Sequence, residues 1–324
     1  MRRPCYRGVE CMEVKVEEKD IKEICIANQM QCNKITKAFG SFDKELFFID
    51  DKYLIRTSKQ SMQAEQYKIN RIKDLKHVPK IIHASDQRST DCNLYYLILQ
   101  YIQGDELFIN YNTLQEHEIH DLGVEIADFL FELHNIKGEK YDIGHYVPNI
   151  PGYDKSWRSG HEVYWSDIYK GLKNIQLSED ARQILELSNE YINMNISCLD
   201  FENGPSLLHN DFHYKNIIIH NNTFSGVIDW ECSQYGEADF DLIHLLHWCL
   251  FPPSKNVDMT QLFNTIFLLF RENSNIPMIG KRLTIYLLEH DFIQLLWSQG
   301  KRVDEFLPRI NWWLRNLEQY IQKL

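Results

Sequence analysis

The sequence predicts an α+β fold in two parts, a small antiparallel sheet with a helix laid on it followed by a larger, mainly helical part. Three observations carry this prediction. Residues 34–100 alternate brief β-rich runs with turn residues, whereas 3.6-residue apolar periodicity dominates beyond residue 113. Gln103-Gly104-Asp105 punctuates the chain between the two textures. The charge balance also flips there: residues 1–100 hold 18 basic and 14 acidic side chains, net +4, and residues 101–324 hold 17 and 32, net −15. The expected domains are therefore 1–102 and 103–324, which agrees with roughly one domain per 100–200 residues.

In chain order, Glu17–Met30 reads as a short helix. Strands are expected at Lys34–Phe39, Glu45–Ile49 and Lys52–Arg56, with Gly40-Ser41 and Asp50-Asp51 in the turns between them. A polar helix, Ser61–Leu75, is stopped by Pro79, and strands follow at Lys80–Ala84 and Leu94–Gln100. From Thr113 to Leu133 the apolar residues Leu114, Ile119, Leu122, Ile126, Phe129, Leu130 and Leu133 form the stripe of a core helix. Further helices are expected at Ser178–Met194, Phe240–Leu250, Met259–Phe270, Arg282–Trp297 and Val303–Ile321. Among them lies an island of short strands, Ser206–Leu208, Ile217–His220 and Ser225–Ile228, with polar loops between.

Composition narrows the function. At 44% hydrophobic and 25% charged residues the chain is a globular protein with enough apolar content for a core. A net charge of −11 argues against a nucleic-acid backbone or an anionic membrane as partner, because both would be repelled. The eight cysteines include no CxxC pair and no regular spacing, so neither a zinc ribbon nor a disulfide framework is expected. No apolar leader follows Met1-Arg2-Arg3 and no stretch is long enough to span a bilayer, so a cytoplasmic protein is expected.

The chemistry is concentrated in the island. It reads His209-Asn210-Asp211-Phe212-His213-Tyr214-Lys215-Asn216, then Ile228-Asp229-Trp230-Glu231. Asp211 stands five residues before Asn216, and Asp229 thirteen residues beyond it on the next short strand. That arrangement suits phosphoryl transfer: a carboxylate, Asp211, orients the attacking hydroxyl, and hard oxygen donors, Asn216 and Asp229, hold Mg²⁺ against nucleotide phosphates.

The H-x-D-x-x-x-x-N pattern from His209 and the I-D-W-E that follows resemble the aminoglycoside phosphotransferases and their choline-kinase-like relatives, which share the protein-kinase fold. Gly236-Glu237-Ala238-Asp239-Phe240-Asp241-Leu242 is similar to a segment of that family whose last Asp, here Asp241, buttresses the catalytic loop together with His209; His213 is expected to support the loop as well. Lys52-Tyr53-Leu54-Ile55-Arg56 looks like the strand carrying the phosphate-contacting base, with Glu65 as its partner. Leu97 to Gly104 resembles the hinge, whose backbone near Gln100 and Ile102 would read the base of ATP or GTP. The loop containing Ser41 and Phe42 would cover the phosphates. The resemblance implies a two-lobed, protein-kinase-like enzyme that phosphorylates a hydroxyl of a small, cationic acceptor, with an aminoglycoside antibiotic favoured and resistance as the outcome. Choline, ethanolamine, macrolide or sugar kinases and a catalytically silent nucleotide-binding module are the alternatives. Glu231, Glu237, Asp154, Glu289 and Asp291 are candidate contacts to a cationic acceptor.

The chain departs from the family pattern at several places, among them Tyr214-Lys215, which fill positions that often hold smaller residues. Arg56 stands where a Lys is familiar, the loop at Gly40 holds a single glycine, and Asn210 replaces a frequent Gly. Blander readings also exist. Asp211 and Asn216 could be turn residues, Arg56 and Glu65 a surface ion pair, and His209, His213 and Cys232 zinc ligands, although no four-ligand spacing supports zinc. Trp157, Trp165, Trp312 and Trp313 fit either core packing or a stacking wall for a sugar or amine. A protein-substrate kinase is disfavoured, because Asp229-Trp230-Glu231 runs quickly into a helix with no D-F-G or A-P-E bracket.

Overall fold

Backbone pairing sorts the chain into two units, Met1–Ile109 with Lys215–Glu231, and Asn110–Tyr214 with Cys232–Leu324. The structure is a computed structural model and describes residues 16–38, 44–85, 94–142, 156–254 and 256–324. The elements begin with α1 (Glu18–Ala27), β1 (Ile35–Ala38), β2 (Lys44–Ile49), β3 (Tyr53–Ser58), α2 (Gln63–Arg71), β4 (Ile81–Ala84), β5 (Tyr95–Gln100), β6 (Asp105–Glu106), α3 (Leu107–Asn110) and α4 (Glu116–His134). They continue with α5 (Trp157–Lys173), α6 (Glu179–Asn195), β7 (Ser206–Leu208), β8 (Ile217–His220), β9 (Thr223–Val227), β10 (Gln234–Gly236), α7 (Leu242–Leu250), α8 (Thr260–Ser274), α9 (Ile279–Trp297) and α10 (Val303–Lys323).

In the first unit an antiparallel sheet runs in the order β1-β2-β3-β5-β4. Strand alternation gives it two faces. Phe47, Ile49, Ile55, Tyr96 and Ile98 point to one side and form a core with Val16, Ile21, Ile24 and Cys25 of α1 and its lead-in. Arg56 lies on the other side, paired in register with Leu46 of β2 and Leu97 of β5. The turn from β2 to β3 places Asp50 and Asp51 at φ 51° and 53°, the left-handed pair that a tight hairpin requires. The Asp50 carboxylate caps the start of the hairpin by accepting from the Asn33 and Lys34 amides at 3.0 and 2.6 Å.

The seam expected at residue 102 differs from the observed division, because Lys215–Glu231 belongs with the first unit. The physical reason is a second, three-stranded sheet in which β6 pairs with β8 and β8 with β9. Gly104 makes the approach possible: its φ is +125°, and a Cβ there would stand 2.1 Å from the Ile219 carbonyl oxygen.

The second unit is helical, with α9 at its centre packed against α10, α5, α7 and α6. Thirteen of the nineteen α9 residues are buried, which explains why it shows apolar residues on every side. Helix α5 was not expected from the sequence. Its buried stripe is Trp157, Gly160, His161, Tyr164, Trp165, Ile168 and Leu172, so the first turns of the periodicity are written in aromatic, glycine and histidine residues and only the last two positions are aliphatic. Ser156 caps it by accepting from the Ser159 amide. Trp157, Trp165 and Trp313 are buried, at 0%, 3% and 1% exposure, which settles those three as core. A two-stranded ribbon of β7 and β10 leads the chain into and out of the polar loop.

Candidate active site

The loop that follows β7 is held by one buried carboxylate. Asp241, fully buried at the start of α7, accepts the backbone N–H of His209 at 3.0 Å and of Asn210 at 2.7 Å, and its Oδ2 also lies 3.0 Å from His134 Nε2. Asn210 sits at φ 62°, where an L residue other than Asn or Asp is strained, and its side chain donates to the Cys232 carbonyl at 3.2 Å. Asn at the position where glycine is frequent is thus the substitution the backbone best tolerates. The Asp211 amide donates to His209 Nδ1 at 3.3 Å, so His209 and Asp241 both contact the backbone that presents Asp211.

Around the Asp211 carboxylate stand two imidazoles, His213 Nε2 at 3.7 Å and His244 Nδ1 at 4.0 Å from Oδ1. His213 is stacked on Trp248 with ring centroids 4.6 Å apart. Burial lowers the His244 pKa to about 3, against an upward pull from Asp211, so this imidazole is neutral at physiological pH. Neither the bundle position of His244 nor its proximity to Asp211 is signalled by local motif.

The first unit holds the cationic part. Arg56 Nη1 and Glu65 Oε1 are 2.7 Å apart, with 12% and 6% side-chain exposure, so the expected pair is buried rather than a surface bridge. Lys44 is the residue the sequence reading missed: its Nζ lies 3.0 Å from Glu65 Oε2 and 2.8 Å from Glu231 Oε2. Strand alternation contained the signal, since Lys44 shares a β2 face with Leu46, the cross-strand partner of Arg56. Burial works against the Lys44 ammonium, but Glu65 and Glu231 outweigh it and raise its pKa.

Asn216 and Asp229 also belong to the first unit. The Asn216 carbonyl accepts the Ile228 amide at 2.9 Å, which continues the pairing of β8 and β9 and sets Asn216 beside the residue preceding Asp229. Asp229 is held at φ 66°, and the indole of Trp230 is anchored on the Val227 carbonyl at 2.9 Å. Asp, like Asn, is among the residues that tolerate this left-handed backbone. These are hard oxygen donors, and one or two of them are the protein's usual share of a Mg²⁺ site completed by phosphates. Among the described residues no group of three or more His, Cys, Asp or Glu converges as a metal site. The amide oxygen of Asn216 and the carboxylate of Asp229 are of the donor type that Mg²⁺ takes.

Gln100 and Ile102 border a cleft of ≈ 810 Å³ in the first unit, together with Lys52, Lys80 and Tyr101. The Gln100 amide donates to the Lys80 carbonyl at 2.8 Å, and that of Tyr101 to Lys52 at 2.9 Å. Ser41, Phe42 and Asp154 lie outside the described residues.

Three of the carboxylates expected at the acceptor lie in the interior of the second unit. Glu237 is fully buried, accepts from the Tyr141 hydroxyl and from the Asn203 amide at 3.1 Å, and burial raises its pKa. Glu289 contacts His161 Nδ1 at 2.6 Å, and burial raises its pKa as well. Asp291 accepts from Arg309 Nε and Trp313 Nε1, each at 2.7 Å; burial opposes its charge, yet His290 and Arg309 hold its pKa below the usual carboxylate range. The reason is steric economy: helix α9 is buried all round, so its polar residues face partners rather than solvent. Asp239 is engaged likewise by Arg282, Nε to Oδ2 at 2.5 Å, which ties the Gly236–Leu242 segment to α9.

Comparisons with known proteins find similar sequences and a similar fold. A curated relative, acyl-CoA dehydrogenase family member 11 of Pongo abelii, is 28% identical over 214 residues, 64% of this chain. The chain matches about a quarter of that relative's length, 25%. The crystal structure of ADP-bound aminoglycoside phosphotransferase APH(2'')-Ib superposes with a TM-score of 0.65 at 18% identity, covering 94% of this chain and 99% of that one. The streptomycin–ATP complex of APH(2'')-IIa gives 0.64 at 19%, covering 95% and 99%. These likenesses establish the protein-kinase-like fold. The phosphotransferase enzyme family model matches residues 52–259, which run from the strand of Arg56 through the Asp211 loop, Asp229 and Asp241. With its sequence pattern and its fold in agreement over most of its length, the chain belongs to the phosphotransferase enzyme family.

Proposed function

We propose that the protein transfers the γ-phosphoryl group of ATP or GTP to a hydroxyl of a small molecule. The observation that carries this reading is the Asp211 loop: two consecutive backbone amides fixed on one buried carboxylate present a second carboxylate with the neutral imidazole of His244 beside it. Asp211 accepts the proton of the acceptor hydroxyl as its oxygen bonds to the γ-phosphorus. The bond from the γ-phosphorus to the bridging oxygen breaks, the nucleoside diphosphate leaves, and the proton passes from Asp211 to solvent. Asn216 and Asp229 would hold Mg²⁺, which neutralises phosphate charge when bound. Arg56, oriented by Glu65, contacts the phosphates, and the carbonyl of Gln100 and the amide of Ile102 meet the base.

The first acceptor class is an aminoglycoside-type cation, supported by the net −15 of residues 101–324 and by relatives of the same fold that carry such ligands. A second reading, a less charged amino-alcohol or sugar, is favoured by the internal engagement of Glu237, Glu289 and Asp291. A panel of aminoglycosides, choline, ethanolamine, macrolides and neutral sugars, assayed with both nucleotides for acceptor-dependent diphosphate release, decides between them. Release with no acceptor on a broad panel, in a protein that binds nucleotide, would count against the transferase reading. Expression in a susceptible bacterium separates antibiotic from metabolite.

A further inference from the structure

The first unit sets two half-buried cations, Arg56 and Lys44, around one carboxylate. Arg56 and Lys44 divide the two oxygens of Glu65 between them, Nη1 to Oε1 at 2.7 Å and Nζ to Oε2 at 3.0 Å. A fourth group closes the cluster: Glu231 Oε2 lies 2.8 Å from Lys44 and 3.9 Å from Arg56. Two positive and two negative side chains alternate, so the cluster is electrically balanced as it stands.

The two carboxylates are not equivalent. Glu65 is on α2 with 6% exposure, and leaving it uncompensated would be costly. Glu231 has 32% exposure, the most of the four, and follows Asp229 by two residues. Its carbonyl also accepts from Lys68 of α2, so lysines from β2 and α2 hold it at both ends. A phosphate entering this cluster meets cations already neutralised. It can gain them only by replacing an anion, and the more accessible of the two carboxylates, Glu231, is the one released at least cost.

Resting on the nucleotide-binding reading above, we propose that Lys44 is a second phosphate-binding residue beside Arg56, and that Glu231 is its resident counter-ion, displaced when nucleotide phosphate binds. Glu65 stays in place and orients both cations. This division of labour also suits Arg56: its Nη1 is committed to Glu65, and the compact Lys44 ammonium supplies the point charge that a lysine at position 56 would otherwise provide. The exchange swaps the single charge of a carboxylate for the higher charge of a phosphate group at the same two cations.

The test is binding of ADP without Mg²⁺ to the full chain by calorimetry, comparing wild type, Lys44→Met, Lys44→Arg, Glu231→Gln and the Lys44→Met/Glu231→Gln double variant, with thermal melts to confirm folding. Lys44→Met should raise Kd by roughly 10-fold or more, and Lys44→Arg should recover part of that loss. Glu231→Gln should lower Kd by about 3- to 10-fold, and this gain should shrink to less than about 2-fold in the Lys44→Met background, because the counter-ion then has less to compete for. An unchanged Kd in folded Lys44→Met with normal wild-type binding overturns the role of Lys44 alone. A raised Kd in Glu231→Gln overturns the displacement and makes Glu231 a ligand contact. No ADP binding by wild type overturns the nucleotide reading itself, and this inference with it.

Discussion

Replacing Asp241 by Asn tests whether the catalytic loop is held by its backbone. The Asp241 carboxylate accepts two consecutive amides, those of His209 and Asn210, at 3.0 and 2.7 Å, and His134 Nε2 lies 3.0 Å from the same oxygen as the His209 amide. An asparagine offers one accepting oxygen, so its NH₂ must face one of the two amides and leave a buried N–H without a partner. An unsatisfied buried donor costs about 1–3 kcal/mol, and bonds to a charged acceptor are worth about 1.5–3. A loss of roughly 2–4 kcal/mol follows for Asp241→Asn. Urea unfolding, with the slope checked for two-state behaviour, measures it, and kcat should fall with it because Asn210 is no longer pinned at φ 62°. His134→Gln, which keeps a donor near the same oxygen, should lose less than about half as much. A loss under about 1 kcal/mol with kcat retained would refute the argument that this carboxylate fixes the loop.

Other consequences follow from the same geometry. At Asn210, Gly should be tolerated within about 1 kcal/mol while Val should cost about 2 kcal/mol in urea unfolding, because a β-branched residue is strained at positive φ. Asp229→Ala should weaken nucleotide binding at least 10-fold with Mg²⁺ present and leave Mg²⁺-free binding nearly unchanged, as read by calorimetry. His244, facing Asp211, His213 and His290, has its pKa lowered by burial from 6.5 to about 3, so between those values the unfolded chain takes up a proton that the folded chain refuses. Stability contributed by this group is therefore present above about pH 6.5 and lost as pH falls, by up to about 1.4 kcal/mol per pH unit, and His244→Asn should flatten the slope seen in urea midpoints from pH 7.5 to 4.5.

Most of the strands of the first unit were legible because alternation and turn residues agree: Asp50-Asp51 marks a hairpin that the backbone realises with two left-handed residues. Helix α4 was legible for the same kind of reason, an aliphatic stripe at regular spacing. Helix α5 was not, because Trp157, His161, Tyr164 and Trp165 do not read as a core stripe until their partners are known. The assignment of Lys215–Glu231 to the first unit depends on the ladder between β6 and β8, a pairing of residues more than a hundred positions apart that no local pattern encodes. In the site, the loop residues His209, Asp211 and Asp241 were found by motif. Lys44 was missed because β2 was expected to begin at Glu45, and a one-residue difference in strand start left its side chain unassigned to a face. The engagement of Glu237, Glu289 and Asp291 was hidden for a different reason: a carboxylate reads as surface in a sequence, and only the packing of α9 and its neighbours supplies the buried partners that hold it inside.

The central claim is that Asp211 receives the proton of an acceptor hydroxyl during phosphoryl transfer. Its most direct test is Asp211→Asn, measured as nucleotide Kd and as acceptor-dependent kcat on the same preparation. The account predicts a Kd within about 2-fold of wild type and a kcat reduced by roughly 10²- to 10⁴-fold. Retention of most of the rate by a folded, nucleotide-binding Asp211→Asn protein would contradict it.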